Sequence, residues 1–306
     1  KKTKIYIKAS KDSKVVGEVK KGQKLLFYAA STKNKNFSRV LRADPKRQGL
    51  LYAGTERGLF ISFADGASWK PFQNNLPIVP ITDIALKDDN LIAATQGRSF
   101  WMIDDLTILH QLTDEVAQID IYLCKPMDAY RIGAGFRFRR GGGSSAMNLL
   151  YGENKPGGAT VYYNMKNAPE KGTKVKMEVF DPNGELIKSY NQKAKEGLNT
   201  FNWNMMYDNA EGFEGLIMWA GSLRGPMAPP GEYTVKLSVG DITQEQKFKL
   251  LRDPRYPSTD ADLQAQFDFL IKVRDKLTET HVAIKDIRSA REQMKTLTDK
   301  IKGDDN

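Results

Sequence analysis

The stretch Leu50–Trp69, LLYAGTERGLFISFADGASW, decides the reading of the fold together with its echo at Asn90–Leu106, NLIAATQGRSFWMIDDL. Each runs as an apolar strand, A-[AG]-T, a polar residue, a Gly-containing turn, and an aromatic strand that ends in acidic residues. Around them, from Phe37 to about Leu112, short segments such as SRVLRAD and ITDIALK alternate with Gly, Asp-Pro and Asn-Asn punctuation. Short strands spaced by about 8–12 residues with turn signals between them predict an all-β sandwich or propeller. The echo, at a period of roughly 40 residues, fits four-stranded propeller blades. Rings need about four to eight blades, so two copies lead to the expectation that further blades lie outside this chain. We therefore assign residues 37–115 to the last propeller blade or blades.

Upstream, residues 1–36 read as a basic β-hairpin segment with alternating strands in KIYIKA, KVVGEV and KLLFYAA. The chain of 306 residues carries a net charge of +10. Residues 1–35 hold eleven lysines against Asp12 and Glu18, a local +9, which leaves about +1 for the remainder. A nucleic-acid partner is thus suggested only by this segment, and it ranks last, because the segment has no arginine and no nucleic-acid motif. The first residues lead into no apolar core of a signal peptide. No run of about 18 apolar residues exists to form a membrane-spanning helix. The single cysteine, Cys124, excludes an internal disulfide.

Downstream, residues 116–157 read as a linker, with the Gly- and Ser-rich RIGAGFRFRRGGGSS at its centre. Residues 158–254 hold some seven strands, including KVKMEVFD and ELIKSYN around the dipeptide Asn183-Gly184, a hairpin signal. That density of strands predicts an immunoglobulin-like β-sandwich, interrupted by the insertion MYDNAEGFEGLIMWAGSLRGPMAPPG. From residue 258 to 302 the character changes. Thr259 and Asp262 form a capping-box pattern. Beyond them Leu263, Phe267, Leu270, Leu277, Ile284, Ile287, Met294 and Ile301 recur at spacings of three, four and seven. This is the stripe of a long amphipathic helix or a helical hairpin with a coiled-coil-like seam. The predicted class is mainly β with a C-terminal α segment. No second long helix covers the stripe, so a protein partner or a missing part of the same chain is expected on it.

The sharpest local motif, Ser62-Phe63-Ala64-Asp65-Gly66-Ala67-Ser68-Trp69, resembles the Asp-box, S-x-D-x-G-x-T-W. In that motif the acid and hydroxyls bond the turn backbone and Trp packs between sheets. We assign Ser62, Asp65, Gly66, Ser68 and Trp69 this structural role, noting that Ala64 stands where the motif has its acid and Asp65 follows it. More widely, Arg42–Trp69 and Leu76–Thr107 resemble the end of the propeller in bacterial BNR-repeat "glycosyl hydrolase" proteins. Segments GENKPGGATVYYNMK, LNTFNWNMMYD and APPGEYTVKL are similar to the sandwich that follows it, and Asp253–His281 resembles the helical C-terminal segment. The resemblance covers residues 37–302. It implies a sortilin-like or xyloglucanase-like propeller and export to the periplasm, outer membrane surface or exterior of a bacterium. Gln96 occupies a position where His is expected, so no imidazole role transfers.

The chain offers little chemistry of its own. Glycoside hydrolysis needs two carboxylates flanking the scissile bond. Asp83, Asp88, Asp89, Asp104 and Asp105 are available, but their spacing selects no pair, and turn acids are mostly turn formers. His110 and His281 are 171 residues apart and Cys124 lacks a Cys-x-x-Cys partner, so no metal or cofactor site is assigned. Two features could bind. Phe136, Arg137 and Arg139 interleave aromatic and basic side chains, although a solvated loop accounts for them more simply. Trp219, in the Met-rich insertion, is a candidate contact for a glycan or a protein, whereas Trp203 is better read as sandwich core. The helix residues Leu263, Phe267, Leu270, Leu277 and Ile284 complete the candidate interaction set. The leading expectation is a non-catalytic scaffold portion of an exported propeller protein in an envelope assembly. A glycoside hydrolase with its acids in absent blades comes second.

Overall fold

The computed structural model describes residues 2–6, 15–20, 24–26, 38–132 and 156–303. The chain is mainly β with one long C-terminal helix, and divides into two compact units, residues 1–113 and 114–306. Phe136, Arg137 and Arg139 lie outside the described residues, as do most of the lysine-rich positions of residues 1–35.

In the first unit, β1 (Lys2–Tyr6) pairs with β2 (Val15–Lys20). A five-stranded sheet follows in chain order: β3 (Lys24–Leu26), β4 (Ser38–Ala43), β5 (Leu51–Thr55), β6 (Gly58–Ser62) and β7 (Lys70–Pro71). β3 pairs with β4 through Leu25 and Leu41, so the sheet begins inside the segment expected to stand apart as residues 1–36. A second meander holds β8 (Ile81–Lys87), β9 (Asn90–Thr95) and β10 (Phe100–Ile103). Asp88 and Asp89, both with positive φ, form the two-residue turn between β8 and β9, the geometry that matches strand twist in tight hairpins.

The two meanders share one core of Val40, Tyr52, Leu59, Ile61, Ile81, Ile84 and Leu91. β5 is buried along its whole length, which explains its continuous apolar sequence, since a strand covered on both faces does not alternate. Gly54 makes the approach of β8 close: a Cβ there would lie 2.6 Å from Ile81 Cγ2 and 2.7 Å from Val40 Cγ1. The short helix α1 (Thr107–Gln111) closes the unit, with Asp105 Oδ1 accepting the Thr107 amide N–H at 2.9 Å.

The second unit has two sheets around one core. One orders β11 (Ile121–Leu123), β13 (Ala159–Met165) and β16 (Gly197–Trp203). The other orders β12 (Ala129–Arg131), β18 (Ile242–Arg252), β17 (Gly231–Val239), β14 (Val175–Phe180) and β15 (Leu186–Gln192). The expected linker is thereby corrected. β11 and β12 fall within residues 116–157 yet belong to the sheets, and β12 runs parallel to β18. The Gln244 side chain stitches β11 to β18, accepting the Leu123 amide N–H at 2.7 Å and donating to the Ile121 carbonyl at 2.6 Å.

Trp203 is fully buried at the centre of this core, with its ring centroid 5.2 Å from Tyr233 and 6.2 Å from Phe248. At the Asn183-Gly184 hairpin only Gly184 takes positive φ, 85°. Asp181 Oδ1 accepts the amide N–H groups of Asn183 and Glu185 at 2.8 and 2.9 Å. The register shifts so that Phe180 faces Leu186. The turn is therefore an Asx-stabilised bulged loop, not a two-residue hairpin.

The last element is a single 44-residue helix, α2 (Asp260–Gly303), about 66 Å long at 1.5 Å per residue. Its start is the predicted capping box: Thr259 Oγ1 accepts the Asp262 amide N–H at 3.1 Å, and Asp262 Oδ2 accepts that of Thr259 at 2.8 Å. Among the described residues, no helix is long and apolar enough to cross a membrane.

Candidate interaction surface

The insertion between β16 and β17 and the helix α2 build this surface together. The insertion leaves the sheet through an antiparallel bridge between Met206 and Met227. It stays a paired ribbon through the Ala210 amide N–H, which donates to the Leu223 carbonyl at 2.7 Å. Its outer part meets the first half of α2. The Tyr207 and Phe267 rings lie 4.7 Å apart. Burial raises the Tyr207 phenol well above its ordinary value, so it stays neutral. The Glu211 amide N–H donates to Thr278 Oγ1 at 3.1 Å, and its carbonyl meets His281 Nδ1. Lys285 Nζ reaches Glu211 Oε2 at 2.6 Å. Arg288 donates to the Glu214 carbonyl at 2.8 Å and stacks over Phe213, 4.6 Å from its centroid. Arg131 adds a tie from β12, donating to the Ala228 carbonyl at 2.9 Å and to Gln266 Oε1 at 3.2 Å.

The expectation that the helical stripe has no cover in this chain is therefore corrected for its first half. Leu263, Phe267, Leu277 and Ile284 are half-buried, and His281 is buried with its ring edge-on to Phe213. Leu270, placed in the same stripe by its spacing, is exposed. From Ser289 to Ile301 every residue is exposed. Trp219 stands 99% exposed on the insertion beside an exposed Ile217. Glu211, Phe213 and Asp208, whose carbonyl accepts from Arg274, were not legible as helix contacts, because the insertion has no periodicity to mark a docking face.

At the Asp-box the Ser62 hydroxyl makes the staple, accepting the amide N–H groups of Ala64 at 3.2 Å and Gly66 at 2.9 Å. Asp65 and Gly66 carry positive φ, and the Asp65 amide N–H donates to the Gly49 carbonyl at 2.9 Å. Trp69 lies against Gly66 but remains 38% exposed, and Ser68 is also exposed. Trp69 thus covers its own turn; the packing between sheets that the motif leads one to expect is not what it does here.

One buried cluster escaped the sequence reading. Asp44 Oδ1 accepts the amide N–H groups of Lys46 and Arg47 at 2.7 and 2.8 Å. Its Oδ2 accepts the Tyr52 hydroxyl at 3.0 Å and lies 2.9 Å from His110 Nε2. His110 Nδ1 is 3.9 Å from Asp89 Oδ1, and Lys46 Nζ is 2.5 Å from Asp89 Oδ2. Burial alone pushes the Asp44 carboxyl up, but the Arg47 amide, the His110 ring and the Lys46 amide together hold it below its ordinary range. Burial and the adjacent carboxylate push the Tyr52 phenol far up. With Arg47 also donating to the Leu109 carbonyl, the cluster locks α1 to the β4–β5 turn. Asp44 and His110 are 66 residues apart in sequence, which is why spacing did not reveal the cluster.

Four of the five acids weighed for hydrolysis have local tasks: Asp83 pairs with Arg42 at 3.3 Å, Asp88 and Asp89 make a turn, and Asp105 holds Thr107. Cys124 is buried. Among the described residues, no group of three His, Cys, Asp or Glu is placed to hold a metal ion. No protein-family model matches the sequence, and no curated protein matches it.

Proposed function

We propose that this chain is a non-catalytic interaction portion of an exported bacterial BNR-repeat propeller protein, and that α2 is its docking element in an envelope assembly. The propeller reading is supported by two consecutive antiparallel meanders that share a core and by the Ser62 staple in an Asp-box-like turn. The immunoglobulin-like reading is supported by two sheets closed over Trp203. Export rests on the resemblance to the BNR-repeat proteins.

The observation that carries the docking role is the second half of α2. It repeats Ile287, Met294, Leu297 and Ile301 at helical spacing, and all four side chains are exposed. A helix held by nothing else is marginal in water below about 12–15 residues, and apolar side chains in a contiguous exposed row mark an interaction site. A photo-cross-linking residue at Met294 of the full-length protein, in intact cells of its bacterial host, is expected to yield a protein adduct. The same residue at Glu292, about 160° round the helix from Met294 and also exposed, serves as the control. Absence of any adduct from Met294 would overturn the docking role.

A further inference from the structure

We infer that the occupant of the exposed helical row is a second copy of this chain, paired parallel and in register as a two-stranded coiled coil; this rests on the docking role of α2 proposed above. The row is longer than the four distal residues. Phe269, Val273, Lys276, Thr280, Ala283, Ile287, Ala290, Met294, Leu297 and Ile301 follow one another at spacings that alternate four and three without a break. All ten are exposed. The distal apolar members Ile287, Met294, Leu297 and Ile301 are between 60 and 69% exposed. A 3.5-residue repeat held for more than four heptads is the seam of a left-handed coiled coil, with Val273, Thr280, Ile287, Met294 and Ile301 at one core position and the others at its alternate.

Two observations select a copy of the same chain. At 100° per residue the distal row from Ile287 to Ile301 lies about 120–180° round α2 from Phe267 and His281, which pack on the insertion, whereas Leu277 and Ile284 flank the proximal part of the row. Two helices can therefore meet seam to seam over the distal part while each keeps its own domain docked. The flanking charges are also self-complementary. In a parallel pair Asp286 of one helix faces Arg291 of the other, and Gln293 faces Thr298, with no like-charged flanking pair along the seam. An antiparallel pair over the same full length would set Asp286 against Asp286 and Lys272 against Lys300. Lys276 is the one charged residue in the core row. Its long stem can reach outward to water, and a single polar core position of this kind fixes register at a cost in stability.

The chain in solution is expected to have twice its monomer mass by sedimentation or light scattering. Ile287→Glu with Met294→Glu should return it to monomer mass with the near-ultraviolet signal of the buried Trp203 unchanged. Because Cys124 is buried, Ala290→Cys tests geometry directly: in the parallel in-register pair it forms an intermolecular disulfide on mild oxidation, and Lys295→Cys on the outer face does not. A monomer at every concentration, a dimer indifferent to the double substitution, or a dimer in which Ala290→Cys fails to cross-link would overturn the inference. A monomeric chain that still cross-links a different protein from Met294 would leave the docking role standing and sink only self-pairing.

Discussion

The two parts of α2 share one helix and have opposite circumstances. Residues 260–288 lie against their own domain through aromatic rings, a buried histidine and backbone carbonyls of the insertion. Residues 289–301 are exposed throughout. The contrast teaches that an apolar stripe read from spacing alone can be two stripes on different sides of one helix. Only one of these is consumed by the fold. An irregular insertion can cover a helix as well as another helix does, because its carbonyls and rings satisfy the polar and aromatic members of the face.

Substitutions in the docked half should therefore lower the stability of the second unit, and those in the free half should not. Phe267→Ala removes the ring packed at a tilt against Tyr207 and is expected to cost about 2 kcal/mol in denaturant unfolding, at the low end for a large-to-small change because the site is half-buried. His281→Ala leaves the Glu211 carbonyl without its partner and should cost about 1–2 kcal/mol, with faster amide exchange over residues 274–288. Thr259→Ala, at the cap, should cost about 1 kcal/mol.

The cap also titrates. The Thr259 backbone and side-chain hydrogen bonds hold the Asp262 carboxyl below its ordinary value. A depressed carboxylate stabilises the folded state above its unfolded pKa and loses that contribution as pH falls through the folded one. Far-ultraviolet helicity should accordingly fray on acidification in the chain, and less so in Asp262→Asn. Lys285→Ala, an exposed pair with Glu211, should change stability by less than about 1 kcal/mol. Smallest of all, Leu297→Ala should stay within about 0.5 kcal/mol in dilute protein. A larger loss there would mean that the free half is held by its own chain.

Much of this architecture was legible in the sequence, and the failures have physical causes. The capping box at Thr259 and the extent of α2 could be read because each is local. β11 and β12 could not, because three-residue strands carry no period and take their identity from Met165 and Leu250 across the ladder. Asn183-Gly184 marked the hairpin, but Asp181 decided its geometry. The placement of Leu270 with Leu277 and Ile284 shows the remaining difficulty. Spacings of three, four and seven tolerate drift around the helix, and only burial separates its two sides. The Asp44–His110 lock lies at the same limit, being assembled across the first unit by tertiary contact alone.

Hydrogen exchange along α2, followed as a function of protein concentration, tests the central claim most directly. Protection of residues 260–288 at every concentration, with residues 289–303 exchanging rapidly when dilute and slowing as the chain is concentrated, is the expected result. Protection of residues 289–303 equal to that of residues 260–288 in dilute protein would contradict the division of the helix into a docked half and a free one.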